Sequence, residues 1–404
     1  MRESTGDVET RIGRRRFLAA GAAAVGAAAW APFLGAERAF AAADRAARGL
    51  AAGELGLVGM DHVGLTVPDI NQAIEWFEDI LGAAAPLTFG PFAGAFLGGA
   101  LGVVPDTRID QITMLRIGHS ANIELFAYES PGQRHDMPRN SDWSGHHVAF
   151  YVTDIQEAVE YMDSRGVTRM FGPFTLAAGP AEGQSINYFR TPWNSYIEFI
   201  SYPHGMAYQH APGVKPLWSP KENGLESVVT KVPGLLGIDH VGITVPDIAA
   251  AAAWLEEKLG FFNPLTFGPF SDPVGNFMEQ LVDVNPRAVV EQIRVLRGGN
   301  GPGIELFQYT SPDQDQSFRR NSDWGGHHVA LYVQRIEQGV AAFQAAAGTK
   351  RDGPLTLTSG PAAGQSINYF ATPFGTDVEL ISYPHGMAYE REAAIKLWNP
   401  KNNG

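Results

Sequence analysis

Arg139-Asn140-Ser141-Asp142-Trp143-Ser144-Gly145-His146-His147-Val148-Ala149-Phe150-Tyr151-Val152 occurs almost verbatim a second time, as RNSDWGGHHVALYV from Arg320 to Val333. Each copy ends in a short alternating apolar run that opens on paired histidines. That is the pattern of a β-strand delivering an imidazole to one face of a sheet. Outward from this stretch the repetition continues. LVGMDHVGLTVPDI (57 to 70) returns as LLGIDHVGITVPDI (235 to 248), and PLTFGPF (86 to 92) recurs at 264 to 270. IELFAYESP (123 to 131) answers to IELFQYTSP (304 to 312), while GQSINYF (183 to 189) and ISYPHGMAY (200 to 208) recur at 364 to 370 and 381 to 389. A duplication this long is read before any local feature. It predicts two similar domains, 57–208 and 235–389, joined by a linker at 209–234 and followed by a tail at 390–404.

A weaker repeat lies inside each domain. The strand from Asp61 to Val67 leads through Pro68 to Asp69, a good N-cap, and into an amphipathic helix with Ile70, Ile74, Phe77 and Leu81 on one face. Gly82 ends that helix as a C′ glycine should. Strands are expected near 110–117 and 122–128. The second half restarts with His147 to Val152, continues through Asp154 into a helix containing Ile155, Ala158, Val159 and Met162 closed at Gly166, and ends in strands near 186–190 and 195–201. The order βαβββ therefore occurs twice per domain and four times in the chain, an α+β fold.

Alternate residues of a strand share a face. His62 thus points with Gly64 and Thr66, while Val63, Leu65 and Val67 point into a helix-packed core. By the same count each module sends one His from its first strand and one Glu from its last toward a common concave side: His62 and Glu124, His147 and Glu198, His240 and Glu305, His328 and Glu379. A carboxylate embedded in Ile123-Glu124-Leu125-Phe126 or Ile197-Glu198-Phe199-Ile200 is costly to leave unpaired, and no neighbouring Arg or Lys is available in sequence. A metal would resolve that cost. His146 and His327 fall on the opposite strand face and are read as supporting the fold or the ligands rather than binding the ion.

Composition narrows the chemistry. The chain has 404 residues, 45% of them hydrophobic, 43 acidic against 30 basic side chains, a formal charge of −13, and no cysteine. Such a balance argues against a nucleic-acid partner. Without thiolates, any metal is held by His and carboxylate, a set suited to a divalent Fe, Mn, Ni or Zn. Arg14-Arg15-Arg16-Phe17-Leu18, the Ala/Gly run from Ala19 to Ala29 and the small-residue stretch ending at Ala43 resemble a twin-arginine signal peptide over residues 1–43. The implied partner is the twin-arginine translocation machinery, and the implied location is periplasmic or extracellular. The run is too short and too poor in Leu and Ile for stable membrane insertion.

With these residues in view, DHVGLTVPDI, GIELFQY, GGHHVALYV and TDVELISYP resemble the strand signatures of the vicinal oxygen chelate superfamily, which includes glyoxalase I, extradiol dioxygenases and bleomycin resistance proteins. The resemblance implies paired βαβββ modules that form two half-open barrels, each around one divalent ion. Ligands at His62, Glu124, His147 and Glu198 would serve one ion and His240, Glu305, His328 and Glu379 the other. Pairing between domains is equally open: His62 and Glu124 with His328 and Glu379, His240 and Glu305 with His147 and Glu198. Function then divides three ways. The first reading is a metal-dependent glyoxalase-like lyase or isomerase acting on a small vicinal-oxygen substrate through a metal-stabilised enediolate, with Glu124, Glu198, Glu305 and Glu379 alternating between ligand and base. The second is an iron(II) extradiol-type dioxygenase, with Tyr151, Tyr188 and Tyr202 as acids; the extra Glu in each set counts against it. The third is a binding or resistance protein without turnover. RNSDW, GQSINYF and SYPHGMAY are candidates for the pocket rim or for turns, and Arg139 and Arg320 for an anionic substrate or an ion pair.

Overall fold

The computed structural model describes residues 55–223, 230–346 and 348–403. The expected signal at 1–43 lies outside them, as does 224–229 of the linker. Among the described residues no helix is long and apolar enough to cross a membrane.

Four modules follow one another. The first comprises β1 (Leu57–Thr66), α1 (Ile70–Trp76, continued by a wider turn at Phe77–Leu81), β2 (Ala84–Phe89), β3 (Phe92–Ala93), α2 (Phe96–Leu101), β4 (Arg108–Arg116) and β5 (Asn122–Glu129). The second has β6 (His146–Val152), α3 (Ile155–Ser164), β7 (Thr168–Arg169), β8 (Phe174–Thr175), β9 (Ser185–Arg190) and β10 (Tyr196–Ser201). The third repeats the first as β11 (Leu235–Thr244), α4 (Ile248–Leu259), β12 (Phe262–Phe267), β13 (Phe270–Ser271), α5 (Phe277–Val282), β14 (Val289–Arg297) and β15 (Gly303–Thr310). The fourth repeats the second as β16 (His327–Val333), α6 (Ile336–Ala345), β17 (Thr349–Lys350), β18 (Leu355–Thr356), β19 (Ser366–Ala371) and β20 (Asp377–Ser382). Local signals act as anticipated at the helix ends. The Asp69 side chain accepts from the amides of Asn71 and Gln72, and Gly82 closes the helix at φ 77°.

The modules assemble into two mixed sheets of ten strands. One runs β17-β19-β20-β16-β1-β5-β4-β2 and the other β12-β14-β15-β11-β6-β10-β9-β7, each with two short strands added at β4 and β19 or at β14 and β9. The sheets do not follow the duplication. The first is built from modules one and four, the second from modules two and three, so each sequence repeat gives one module to each sheet. Antiparallel pairing of first strands makes the junctions: Gly64 lies opposite His328 across β1 and β16, and Gly242 opposite His147 across β11 and β6. Within a module the first and last strands run parallel, with Gly64 beside Glu124 and Ala149 beside Glu198.

Strand alternation explains which side is core. Val63, Leu65, Val148, Phe150, Val241, Ile243, Val329 and Leu331 join Phe77, Met162, Leu255 and Phe343 from the helices in one buried cluster between the sheets. The opposite faces, carrying the ligands, are left concave. Two interlocked loops fasten the halves together. Arg134 pairs with Asp315 at 2.7 Å, Arg319 with Asp136 at 2.6 Å, Arg139 with Asp313, and Trp143 stacks on Phe318. The alternatives left open for Arg139 and Arg320 are thereby resolved toward ion pairing: Arg139 also meets Asp142, and Arg320 meets Asp323 at 2.8 Å. RNSDW is part of this clasp.

Candidate metal centres

The pairing question has a clear answer in the geometry. His62, Glu124, His328 and Glu379 gather in one buried cluster, and His147, Glu198, His240 and Glu305 in the other, with the ligand atoms of each set within 4.8 Å of one another. Each centre therefore spans the two sequence repeats. In the first, His62 Nε2 lies 3.1 Å from Glu124 Oε2 and 3.4 Å from Glu379 Oε2, and His328 Nε2 lies 3.3 and 3.2 Å from the same oxygens. The second repeats this with His147 at 3.2 Å from Glu198 and 3.5 Å from Glu305, and His240 at 3.5 and 3.0 Å.

These donors fit a divalent cation. His62 Nε2, Glu124 Oε2, Glu379 Oε2, Glu198 Oε2 and His240 Nε2 are buried without an aligned hydrogen-bond partner, a state that interiors avoid unless something else satisfies them. Two imidazoles and two carboxylates converging on one point are what a borderline-hard ion binds. Burial alone would push the His62 and His240 imidazoles down. Ionised Glu124 and Glu305, with the Asp61 and Asp239 carboxylates accepting hydrogen bonds from the rings, overcome burial and hold both well above the ordinary range. The glutamates are pulled the other way: burial raises them, and the paired imidazoles bring Glu124, Glu198, Glu305 and Glu379 below the usual carboxylate range. Protons and metal thus compete for the same nitrogens. As pH falls through the raised imidazole range, affinity is expected to drop about tenfold per unit for each proton that must leave. Calorimetry in buffers of different ionisation enthalpy should show protons released on binding; a zero count would mean that neutral imidazoles already await the ion.

Behind one histidine of each centre stands a carboxylate. His62 Nδ1 meets Asp61 at 2.9 Å and His240 Nδ1 meets Asp239 at 3.0 Å. Adjacent residues of a regular strand would point to opposite faces, but the register shifts between Met60 and His62, and again between Ile238 and His240. Such bulges re-aim a side chain. The Tyr383 hydroxyl donates to Asp61 and the Tyr202 hydroxyl to Asp239, each at 2.5 Å. A carboxylate on the far nitrogen fixes the ring tautomer and raises ligand basicity. Asp61→Asn should therefore weaken metal binding at its own centre by about 10- to 100-fold and leave the other centre unaffected, as a metal titration would show.

The model of the Glyoxalase/Bleomycin resistance protein/Dioxygenase superfamily matches residues 61–188 and again 239–369. The chain belongs to that superfamily. A superfamily relative, the 2-epi-5-epi-valiolone epimerase of Actinomyces sp., is 40% identical over 173 residues, 43% of this chain and 93% of the relative. Solved structures of similar shape include glyoxalase I from Zea mays, at 15% identity and TM-score 0.46 over 80% of this chain and 92% of that one. A glyoxalase family protein from Bacillus cereus matches at 22% identity and TM-score 0.30 over 36% of this chain and 94% of that one. The protein is an enzyme of the superfamily, of the isomerase or lyase kind.

Around the donors, this superfamily member places groups that the strand pattern alone left out. Of the three phenols named from sequence, Tyr188 reaches a centre, its hydroxyl 3.3 Å from His147 Nε2, and Tyr369 does the same at 3.2 Å from His328. Tyr202 instead serves Asp239, and Tyr151 stacks edge-on against it under Lys221. Tyr128 and Tyr309 stack on Phe126 and Phe307 beside the two centres. Burial and the nearby glutamates raise Tyr128, Tyr188, Tyr309 and Tyr369, so these phenols stay protonated. His146 and His327 meet each other in a tilted contact with centroids 4.4 Å apart, and neither belongs to a donor cluster; burial lowers both, and they are neutral. A cavity of about 580 Å³, open mouth included, leads to Glu198, Glu305 and Tyr188 between largely apolar walls such as Phe174, Phe267, Phe277 and Leu281. GQSINYF supplies Gln184, Ile186 and Tyr188 to that wall, whereas SYPHGMAY packs through Tyr202, Met206 and Tyr208 into the apolar cluster behind it.

Proposed function

We propose that each centre catalyses a metal-dependent isomerisation, specifically epimerisation at a carbon next to a carbonyl in a small oxygenated substrate, with hydroxyketones the favoured class. The observation that supports it most is the convergence of two ionised glutamates from different modules on one buried point. Glu124 arrives from β5 and Glu379 from β20, and Glu305 from β15 and Glu198 from β10. Inverting a carbon requires that a proton leave one face and another arrive on the opposite face. One carboxylate accepts the proton, the C–H electron pair moves toward the carbonyl, and an acid on the other side returns a proton to carbon. The paired imidazoles keep these glutamates ionised, so that one can take up a proton, and the protonated Tyr128, Tyr369, Tyr188 and Tyr309 can donate hydrogen bonds to substrate oxygen. When bound, a divalent ion supplies Lewis-acid polarisation of that oxygen, which acidifies the neighbouring C–H. The 2-epi-5-epi-valiolone epimerase relative supports both the reaction type and the substrate class. Incubation of the metal-loaded protein with hydroxyketones in D2O should place deuterium on the carbon beside the carbonyl. Oxygen consumption with catechols and no such exchange would favour the ring-cleaving reading instead.

We propose further that the protein acts outside the cytoplasm, on the strength of Arg14-Arg15-Arg16-Phe17-Leu18 and the Ala/Gly run behind it. Replacing Arg15 and Arg16 by Lys together is expected to retain the protein in the cytoplasmic fraction; unchanged export would argue for another route.

A further inference from the structure

The two centres have the same kinds of metal donor but different surroundings. Beside His147, Glu198, His240 and Glu305 the wall is aromatic: Phe277 is 8% exposed and packs on Phe174 at 5.4 Å and Phe171 at 6.2 Å. Tyr196 shares a strand face with Glu198, two residues away, and sends its hydroxyl to Asp283 at 3.0 Å. At the other centre the corresponding positions hold different chemistry. Phe171, Phe174 and Tyr196 give way to Asp352, Leu355 and Asp377, and Phe96, in the place of Phe277, is 49% exposed. Arg351 stands at the position of Met170, which packs against the apolar cluster around the cavity beside the His147 centre rather than lining it. Its Nη2 bonds both oxygens of Asp377 at 2.8 and 2.9 Å, while its Nε is buried without a partner. Asn321 donates to the same carboxylate at 2.9 Å. Gly102 makes room for the guanidinium, since a Cβ there would lie 2.0 Å from Arg351 Cζ.

The ion pair stands two residues along the strand from Glu379, its side chains 24% and 11% exposed, and its guanidinium keeps donors that Asp377 does not use. We propose that the centres have divided specificity. The His147–Glu198–His240–Glu305 centre takes oxygenated substrates whose body is apolar and ring-sized; the His62–Glu124–His328–Glu379 centre takes substrates whose body carries a further hydroxyl, received by Arg351 and Asp377. A hydroxyl suits this pair because it accepts from Arg351 and donates to Asp377 at once. An apolar body would leave the pair facing it without exchange for the lost water.

This rests on the metal-dependent enzyme reading, and single-centre proteins separate the two. His240→Ala leaves only the first centre and His62→Ala only the second. Each is loaded with Co²⁺ and titrated with a phenyl-substituted and a polyhydroxylated hydroxyketone, read by the visible spectrum of the ion and independently by deuterium exchange. The His240→Ala protein is expected to bind the polyhydroxylated ligand at least about tenfold more tightly than the phenyl one, and the His62→Ala protein the reverse. Asp377→Asn in the first background should shrink that preference with the Co²⁺ content unchanged. The same ligand ranking in both proteins would overturn divided specificity. Loading and binding without exchange at either centre would instead overturn the proposed reaction and leave the binding preference standing.

Discussion

Replacing Glu124 and Glu379 together by Ala should empty one centre and leave the other loaded, whereas replacing Glu124 and Glu198 together should empty both. The two double variants remove the same number of carboxylates and differ only in partnership. Glu124 and Glu379 face one pair of imidazoles, His62 and His328, although they lie in different sequence repeats. Glu124 and Glu198 lie in one repeat and belong to different centres. Metal analysis should therefore find roughly one ion per chain in the first variant and close to none in the second, given one ion for each closed donor set. Exchange activity in the second should fall by about 10² to 10³ at least, the usual loss when the charge that stabilises a developing oxyanion is removed. The opposite assignment of losses would mean that each repeat closes its own centre and that the strand pairing described above is wrong. Removing a carboxylate leaves buried imidazoles unpaired, so both variants should also lose stability, and their thermal transitions make the comparison fair.

Why the partnership could not be read from the sequence is itself physical. DHVGLTV and DHVGITV are nearly the same strand, and HHVAFYV and HHVALYV nearly the same again, so either junction satisfies local alternation equally well. Choosing between β1 against β16 and β1 against β6 depends on contacts hundreds of residues apart, which no window of sequence contains. The modules, by contrast, were legible, because period-two alternation, Asp caps and C′ glycines act within a few residues. So were the eight His and Glu side chains that the structure gathers into two buried clusters, since a Glu inside an otherwise apolar strand stands out. The short helices α2 and α5 were not anticipated. Both begin with a phenylalanine and carry Gly or Glu in mid-sequence, too brief a run to show a helical period. Asp61 and Asp239 were missed for a different reason. Counting alternate residues places them opposite the ligands, and only the bulge beside each brings them to the histidine. A pair of adjacent polar residues opening an apolar strand was the available signal.

The glycine two residues after His62, and its counterpart two residues after His240, carry the second large prediction. Gly64 was read from sequence as sharing the face of His62; in the structure it and Gly242, its counterpart in the second repeat, are each the floor under the partner imidazole. A Cβ on Gly64 would sit 1.9 Å from His328 Cε1, and one on Gly242 equally close to His147 Cε1. No real contact is that short, and the obstructing atoms belong to a ring held by a central strand rather than to the free end of a flexible chain. The imidazole must swing away, taking its Nε2 out of reach of both glutamates. Gly64→Ala is therefore expected to cost about 1–3 kcal/mol of stability through overpacking and to lower exchange at its centre by about 10²-fold, the penalty for displacing a catalytic group by an ångström. The other centre should keep its ion, because Gly242 and His147 lie in the other sheet. Gly242→Ala should give the mirror result. Since the two glycines sit on first strands and the histidines they admit come from different repeats, a loss of one ion from His328 through a change at Gly64 would report the closeness of modules one and four directly. Full occupancy of both centres in Gly64→Ala would show that β1 and β16 do not pack as described.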